Sequence, residues 1–220
     1  MTLNLSRQAN LIRGNPDISL CIIGAGGIGS NAAYVAASLG VTRIAIYDNG
    51  ILEEPNVAPG WFSMEHIGKT KVEAIGLQVF AFTGVEIKAH PVKYTGQKGD
   101  YDVVLIGTDT LSSRRQSFRH NKLEYSWWID GRMGKQLCSV YAVCEGREEE
   151  YEKDLVGKNG VLSCGEKATA YITKGHLQGM IGDALARIIN MDRVPYLQLW
   201  DSSILWRETV WWKEEENGEE

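Results

Sequence analysis

Short apolar runs alternate with longer stretches of helical spacing along most of this 220-residue chain. Ser19 to Ile23 reads as a buried strand, and its apolar run ends in a glycine turn. Small residues from Gly27 to Leu39 then suit a helix, closed by Gly40. Arg43 to Asp48 reads as a second strand, and the Gly-, Pro- and Asn-rich stretch 49–62 as a loop. A helix from Gly68 to Phe82 and a strand from Val85 to Pro91 follow. Asp102 to Ile106 is continuously apolar after its first residue, as a parallel strand covered on both faces should be. Next come a helix from Leu111 to Leu123 and strands at Trp127 to Asp130 and Leu137 to Val143. A long helix over Lys167 to Met191 precedes a Trp-rich ending (Trp200, Trp206, Trp211, Trp212) that alternates like one or two strands. Strands alternating with helices predict an α/β, Rossmann-like fold. It would have a mostly parallel sheet, helices on both faces and a few additional C-terminal strands. A single domain over 1–220 is expected, with a helical arm at 1–15, a mobile crossover loop at 145–163 and an acidic tail at 213–220.

Charge and composition narrow the function. A net charge of −5 argues against a general nucleic-acid binder, which needs a basic patch. No apolar run approaches the ~18 residues of a membrane span, and the first residues lack the apolar core of a secretory signal. A cytoplasmic location is the expectation. Cys21, Cys138, Cys144 and Cys164 form no Cys-x-x-Cys pair, so a structural zinc site is unsupported. His66, His90, His120 and His176 show no ligand spacing.

The chemistry concentrates at the first turn. Gly24, Gly26, Gly27 and Gly29 lie between an apolar strand and a helix start, the layout of a nucleotide-binding βαβ unit. Glycines there permit close backbone approach to phosphate, and the helix N-terminus offers unpaired N–H groups. Asp48 lies 19 residues after Gly29, at the end of the next strand. Its carboxylate suits a ribose hydroxyl, or a turn cap. Asp109 ends the strand at 102–106 and is also placed to cap the helix that follows.

Further residues follow in order: Ser6-Arg7-Gln8, Tyr47-Asp48, Asn56, Ile67-Gly-Lys-Thr-Lys71-Val-Glu73, Gly107-Thr-Asp109 with Arg114, and Cys164. A Gly-studded helix with Gly175, Gln178, Gly179 and Ala184 comes last. With the glycine turn, this set resembles the ThiF/MoeB/HesA family, relatives of the ubiquitin-activating enzymes, over about Leu5 to Ile189. The resemblance implies ATP- and Mg²⁺-dependent adenylation of the C-terminal glycine of a small ubiquitin-like or sulfur-carrier protein by a homodimer. It implies that Lys71 contacts the phosphates, Asp109 binds Mg²⁺, Asp48 the ribose and Asn56 the nucleotide. Arg7 would reach across the dimer into the partner's site, or else lie on the surface. Cys164 matches a position that is either a catalytic thiol or an inert residue. The chemistry is consistent: two anions must meet, so the site must supply positive charge, while a carboxylate nucleophile needs no base. The sequence departs from the family at Pro59-Gly60, where an Arg-Gln pair is usual; Lys69, Arg114 or Arg132 are the candidate replacements. Two other readings stand beside this one. The fingerprint with an acid at strand two also suits an NAD-dependent oxidoreductase, and the lost Arg-Gln pair suits a non-catalytic scaffold.

Overall fold

The computed structural model describes residues 3–97, 99–121, 125–156 and 171–212. In chain order the elements are β1 (Ser19–Ile23), α1 (Gly27–Ser38), β2 (Arg43–Tyr47), α2 (Glu54–Val57), α3 (Lys71–Thr83), β3 (Lys88–His90) and β4 (Val103–Ile106). They continue with α4 (Leu111–Asn121), β5 (Trp127–Gly134), β6 (Leu137–Cys144), α5 (Glu148–Val156), α6 (Tyr171–Asn190), β7 (Leu197–Asp201) and β8 (Trp206–Val210). The eight strands form one sheet in the order β3-β2-β1-β4-β5-β6-β7-β8. From β3 to β5 neighbours are parallel, and from β5 to β8 they are antiparallel.

Each face of the sheet carries its own core. On one face Leu20, Ile22, Ile46 and Leu105 meet α1, α3 and α6. The α1 side chains there are Ala32, Ala33, Ala36 and Ala37, small enough to bring that helix close to the strands. On the other face Cys21, Val104 and Trp128 meet Phe118 of α4 and Tyr151 and Leu155 of α5. β1 and β4 are buried along their whole length, so they read as unbroken apolar runs. Local signals agree. Thr70 and Glu73 form a reciprocal cap on α3, and Gly84 ends it in the left-handed region at φ 74°.

Four elements differ from the sequence reading, the shortest being α2 (Glu54–Val57), a single capped turn with Pro55 at its start inside the stretch expected as a loop. The arm holds only a 3-10 turn, Ser6–Gln8. A short amphipathic segment makes a marginal helix by itself, and the arm is held by distant partners. Gln8 Nε2 donates to Ser38 O, and Asn190 Oδ1 accepts from the N–H groups of Arg13 and Gly14. The charged segment after residue 145 contains α5 where a loop is expected. Three glutamates fill its first turn, favourable to the helix dipole, and Tyr151 and Leu155 bury one stripe. Strand β5 runs on past Asp130 to Gly134, because β6 pairs with it along its full length. The rest of the expected crossover loop (157–163), the first residues of the long helix (167–170) and the tail at 213–220 lie outside the described residues, as does Cys164. No helix among the described residues is long and apolar enough to cross a membrane.

Candidate functional site

The carboxyl ends of β1, β2 and β4 converge on the glycine turn, where ligands sit in open α/β sheets. Gly24 has φ +94°, and a Cβ there would lie 3.0 Å from Gly107 O. A Cβ on Gly29 would fall 1.8 Å from Gly24 O, so both positions exclude any side chain. A Cβ on Gly107 would lie 3.0 Å from Gly29 N. The turn is thus packed backbone to backbone against the end of β4. That contact brings Thr108 and the exposed Asp109 to the rim of the turn. Thr108 Oγ1 is buried there without a hydrogen-bond partner. Gly26 caps α1, and its own Cβ position is open.

Asp48 ties two loops together. Its Oδ2 accepts from Ala25 N at 2.8 Å and its Oδ1 from Gly50 N at 2.7 Å. A Cβ on Gly50 would sit 2.9 Å from Asp48 Oδ1 and 3.4 Å from Lys71 Cδ and Cε. The stem of Lys71 therefore crosses Gly50 beside Asp48, with Lys71 N donating to Gly50 O at 2.9 Å. Asn56 stands in α2, where its Oδ1 accepts from Glu53 N at 3.2 Å. The glycine turn, Asp48, Lys71 and Asp109 thus all lie at or beside the carboxyl ends of the neighbouring strands β2, β1 and β4. Among the described residues no three His, Cys, Asp or Glu side chains cluster as a cation cage. One carboxylate on the rim of the glycine turn is a donor set compatible with Mg²⁺, which is commonly held by one or two carboxylates plus substrate phosphates.

Arg7 is not part of this group in its own chain. Its turn lies at the far end of α1, where a Cβ on Gly40 would meet Leu5 Cδ1 at 2.5 Å. Twelve helical residues separate that point from the glycine turn, roughly 18 Å at 1.5 Å per residue.

Two of the candidate replacements for the Arg-Gln pair are ruled out. Arg114 and Arg132 are wholly buried on Asp130, which also accepts from Tyr151 Oη at 2.7 Å. Burial disfavours the Arg132 charge, but the Asp130 carboxylate beside it holds the guanidinium firmly protonated. Arg114 ties α4 to β5, and Tyr151 ties α5 to the same carboxylate. Pro59-Gly60 is itself clamped. Lys174 Nζ donates to Gly60 O at 2.6 Å and to Ala58 O at 3.3 Å, and Asn31 Nδ2 donates to Pro59 O at 3.0 Å. Gln178 Nε2 donates to Asn31 Oδ1 in turn. No local spacing links positions 60 and 174, so sequence reasoning passed Lys174 by. Gly50 carries a weak local signal, a glycine two residues after an aspartate. Cys21 and Cys138 are inert core residues, and burial pushes both thiols up to about 12.

An open sheet with a glycine turn at the end of its central strand, covered by helices on both faces, defines a Rossmann-like protein. The family model described as "ThiF family" matches residues 16–201, and the chain belongs to that family. It is 30% identical over 103 residues to an adenylyltransferase and sulfurtransferase MOCS3 of Aedes aegypti, covering 44% of this chain and 24% of that one. It is 36% identical over 58 residues to a ubiquitin-like modifier-activating enzyme 5 of Oryza sativa subsp. japonica, covering 26% of this chain and 14% of that one. The matched segments thus span about a quarter or less of these relatives. The fold is similar to that of E. coli MccB crystallised with AMPCPP and MccA. The TM-score is 0.74 at 13% identity, over 94% of this chain and 67% of MccB. The MccB likeness, at 13% identity, is one of fold.

Proposed function

We propose that this protein adenylates the C-terminal glycine of a small ubiquitin-like or sulfur-carrier protein, using ATP and Mg²⁺. The observation that carries the reading is the convergence of the glycine turn with Asp48, Lys71 and the Thr108-Asp109 rim. Gly24, Gly26, Gly27 and Gly29 let the backbone approach the phosphates at the N-terminus of α1. Asp48 binds the ribose with the lone pairs left after its two backbone bonds, and Asn56 Nδ2 contacts the nucleotide. Lys71 meets the triphosphate from the start of α3. Asp109 holds Mg²⁺, which neutralises phosphate charge when bound.

The acceptor's carboxylate attacks the α-phosphorus, an oxygen–phosphorus bond forms, and the bond to the β-phosphate breaks to release pyrophosphate. The acyl carbon then passes to the sulfur of a thiol or sulfur donor, the carbon–oxygen bond to the α-phosphate breaks, AMP leaves and a thiol gives up its proton; Cys164 is a candidate thiol. The far placement of Arg7 fits a role in the site of a second copy, so we include a homodimer in the reading. Exposed Phe82, edge-on to the stacked Tyr34–Trp61 pair, supplies apolar surface for such a contact. A cytoplasmic setting fits Cys21, Cys138 and Cys144, all of which are free.

The test is pyrophosphate exchange with a candidate carrier ending in Gly-Gly. Exchange that depends on the carrier and falls about 10²-fold or more in Asp109→Ala is expected. Stabilisation by NAD and none by ATP in thermal titration would overturn the reading.

A further inference from the structure

Loop 58–61 lies against the start of α1. A Cβ on Gly27 would fall 3.3 Å from Pro59 O and 3.4 Å from Pro59 Cβ. Gly27 is the first residue of that helix, where free backbone N–H groups favour an anion. A loop touching this point sets one wall of the glycine-turn site. Its carbonyl groups matter as well, because an oxygen aimed at an anion repels it.

Four consecutive residues of the loop are each held by a side chain of α1 or α6. Ala58 O and Gly60 O accept from Lys174 Nζ at 3.3 and 2.6 Å, and Pro59 O accepts from Asn31 Nδ2 at 3.0 Å. Trp61 N donates to Ser30 Oγ at 3.0 Å. Asn31 Nδ2 also donates to Gly27 O, a carbonyl that points down the helix. Pro59 O is therefore drawn toward the second turn of α1, away from the N–H groups at its start.

Helix α6 governs this arrangement. Lys174 and Gln178 are four residues apart, on one face of the helix. Gln178 Nε2 donates to Asn31 Oδ1, which fixes the Asn31 amide with its nitrogen toward Pro59 O. Lys174 Nζ also lies 5.6 Å from the centre of the Trp61 ring, which stacks on Tyr34 of α1 at 4.0 Å. Position 60 has no room for a side chain: a Cβ there would lie 2.4 Å from Phe62 Cδ2 and 2.8 Å from Asn56 O. The glutamine usual in the family does not fit this backbone without a shift, and a cation reaches the loop from α6 instead.

We propose that Lys174 is a positioning residue for the triphosphate. Through the carbonyls of Ala58 and Gly60 it keeps loop 58–61 seated on Gly27, with the loop's oxygens turned from the N-terminus of α1. The inference deepens the adenylation reading and rests on its ATP site. Lys174 touches no substrate: it acts on the loop, and the loop acts on the phosphates.

The test is calorimetric titration of the full chain with ATP and with adenosine, both with Mg²⁺ and without a carrier. Lys174→Met should weaken ATP about tenfold. Lys174→Arg, which keeps a cationic donor on the loop, should restore affinity to within about threefold of wild type. Adenosine, which lacks the phosphates, should bind or fail to bind all three chains alike. Gln178→Met leaves the lysine in place and frees the Asn31 amide, so it should shift ATP in the same direction; it decides the matter where Lys174→Met does not fold. Unchanged ATP affinity in Lys174→Met, no rescue by arginine, loss of adenosine in step with ATP, or an unshifted Gln178→Met would each overturn this inference alone. A wild-type chain that binds no ATP overturns the adenylation reading, and this inference with it.

Discussion

Asp130 shows how much one side chain can hold. It is 1% exposed, and Arg114, Arg132 and Tyr151 all bond to its two oxygens. Four guanidinium nitrogens of the two arginines are buried with no partner, so this carboxylate is the compensation for two buried cations. Asp130→Asn leaves the shape and removes the charge. Its expected cost is about 3–5 kcal/mol, read as a lower urea midpoint at unchanged slope. Nothing in the sequence singles out Asp130, because Arg114 lies sixteen positions away and belongs to another layer. The glycine turn is the opposite case. Gly24 and Gly29 are legible because the turn needs a positive φ at one and no Cβ at either. Asp48 was legible by spacing, while its double duty toward Ala25 and Gly50 needed coordinates to see.

At the scale of elements, α6 does two jobs that its hydrophobic pattern conceals. The core stripe through Leu177, Ile181 and Leu185 is visible as helical periodicity. Lys174, on the same helix, looks like any solvated lysine, yet it is 8% exposed and caps the carbonyls of Ala58 and Gly60. Lys174→Met should leave those acceptors unmatched and lower stability by about 1–3 kcal/mol in denaturant titration. The parallel strands and helices α1 and α3 were readable because their apolar periods are long and bounded by glycine or capping residues, and α4 by the Thr110 cap at its start. Helix α5 and the extension of β5 were not. A glutamate run reads as loop until Tyr151 and Leu155 find a sheet to cover, and Asp130 with Arg132 reads as a strand's polar end until their mutual bond buries them. The arm fails in the other direction, since its pattern is helical but its hydrogen bonds go to α1 and α6.

At the scale of the whole molecule, the amino ends of the strands are pinned at Asp102. Ser19 N and Ser19 Oγ donate to its Oδ2 at 2.6 and 2.8 Å, and Arg43 Nη2 lies 3.3 Å away. Partial burial acts to raise its pKa, but the Ser19 bonds and the Arg43 charge prevail and hold it below the usual carboxylate range. A depressed folded pKa gives stability that is present above the unfolded value of about 3.9 and is lost as pH falls through the folded one. Asp102→Asn should therefore be less stable than wild type at pH 7. The gap should close as pH falls below about 4, in urea titrations run across that range.

Strand β5 belongs to two ladders at once, parallel to β4 on one side and antiparallel to β6 on the other. The nucleotide-type half and the outer meander consequently have no seam between them. Loosening either strips hydrogen bonds from Trp127–Asp130, the stretch both ladders share, so heat or denaturant should melt both together in one transition. A protease would then find no half that survives the loss of the other.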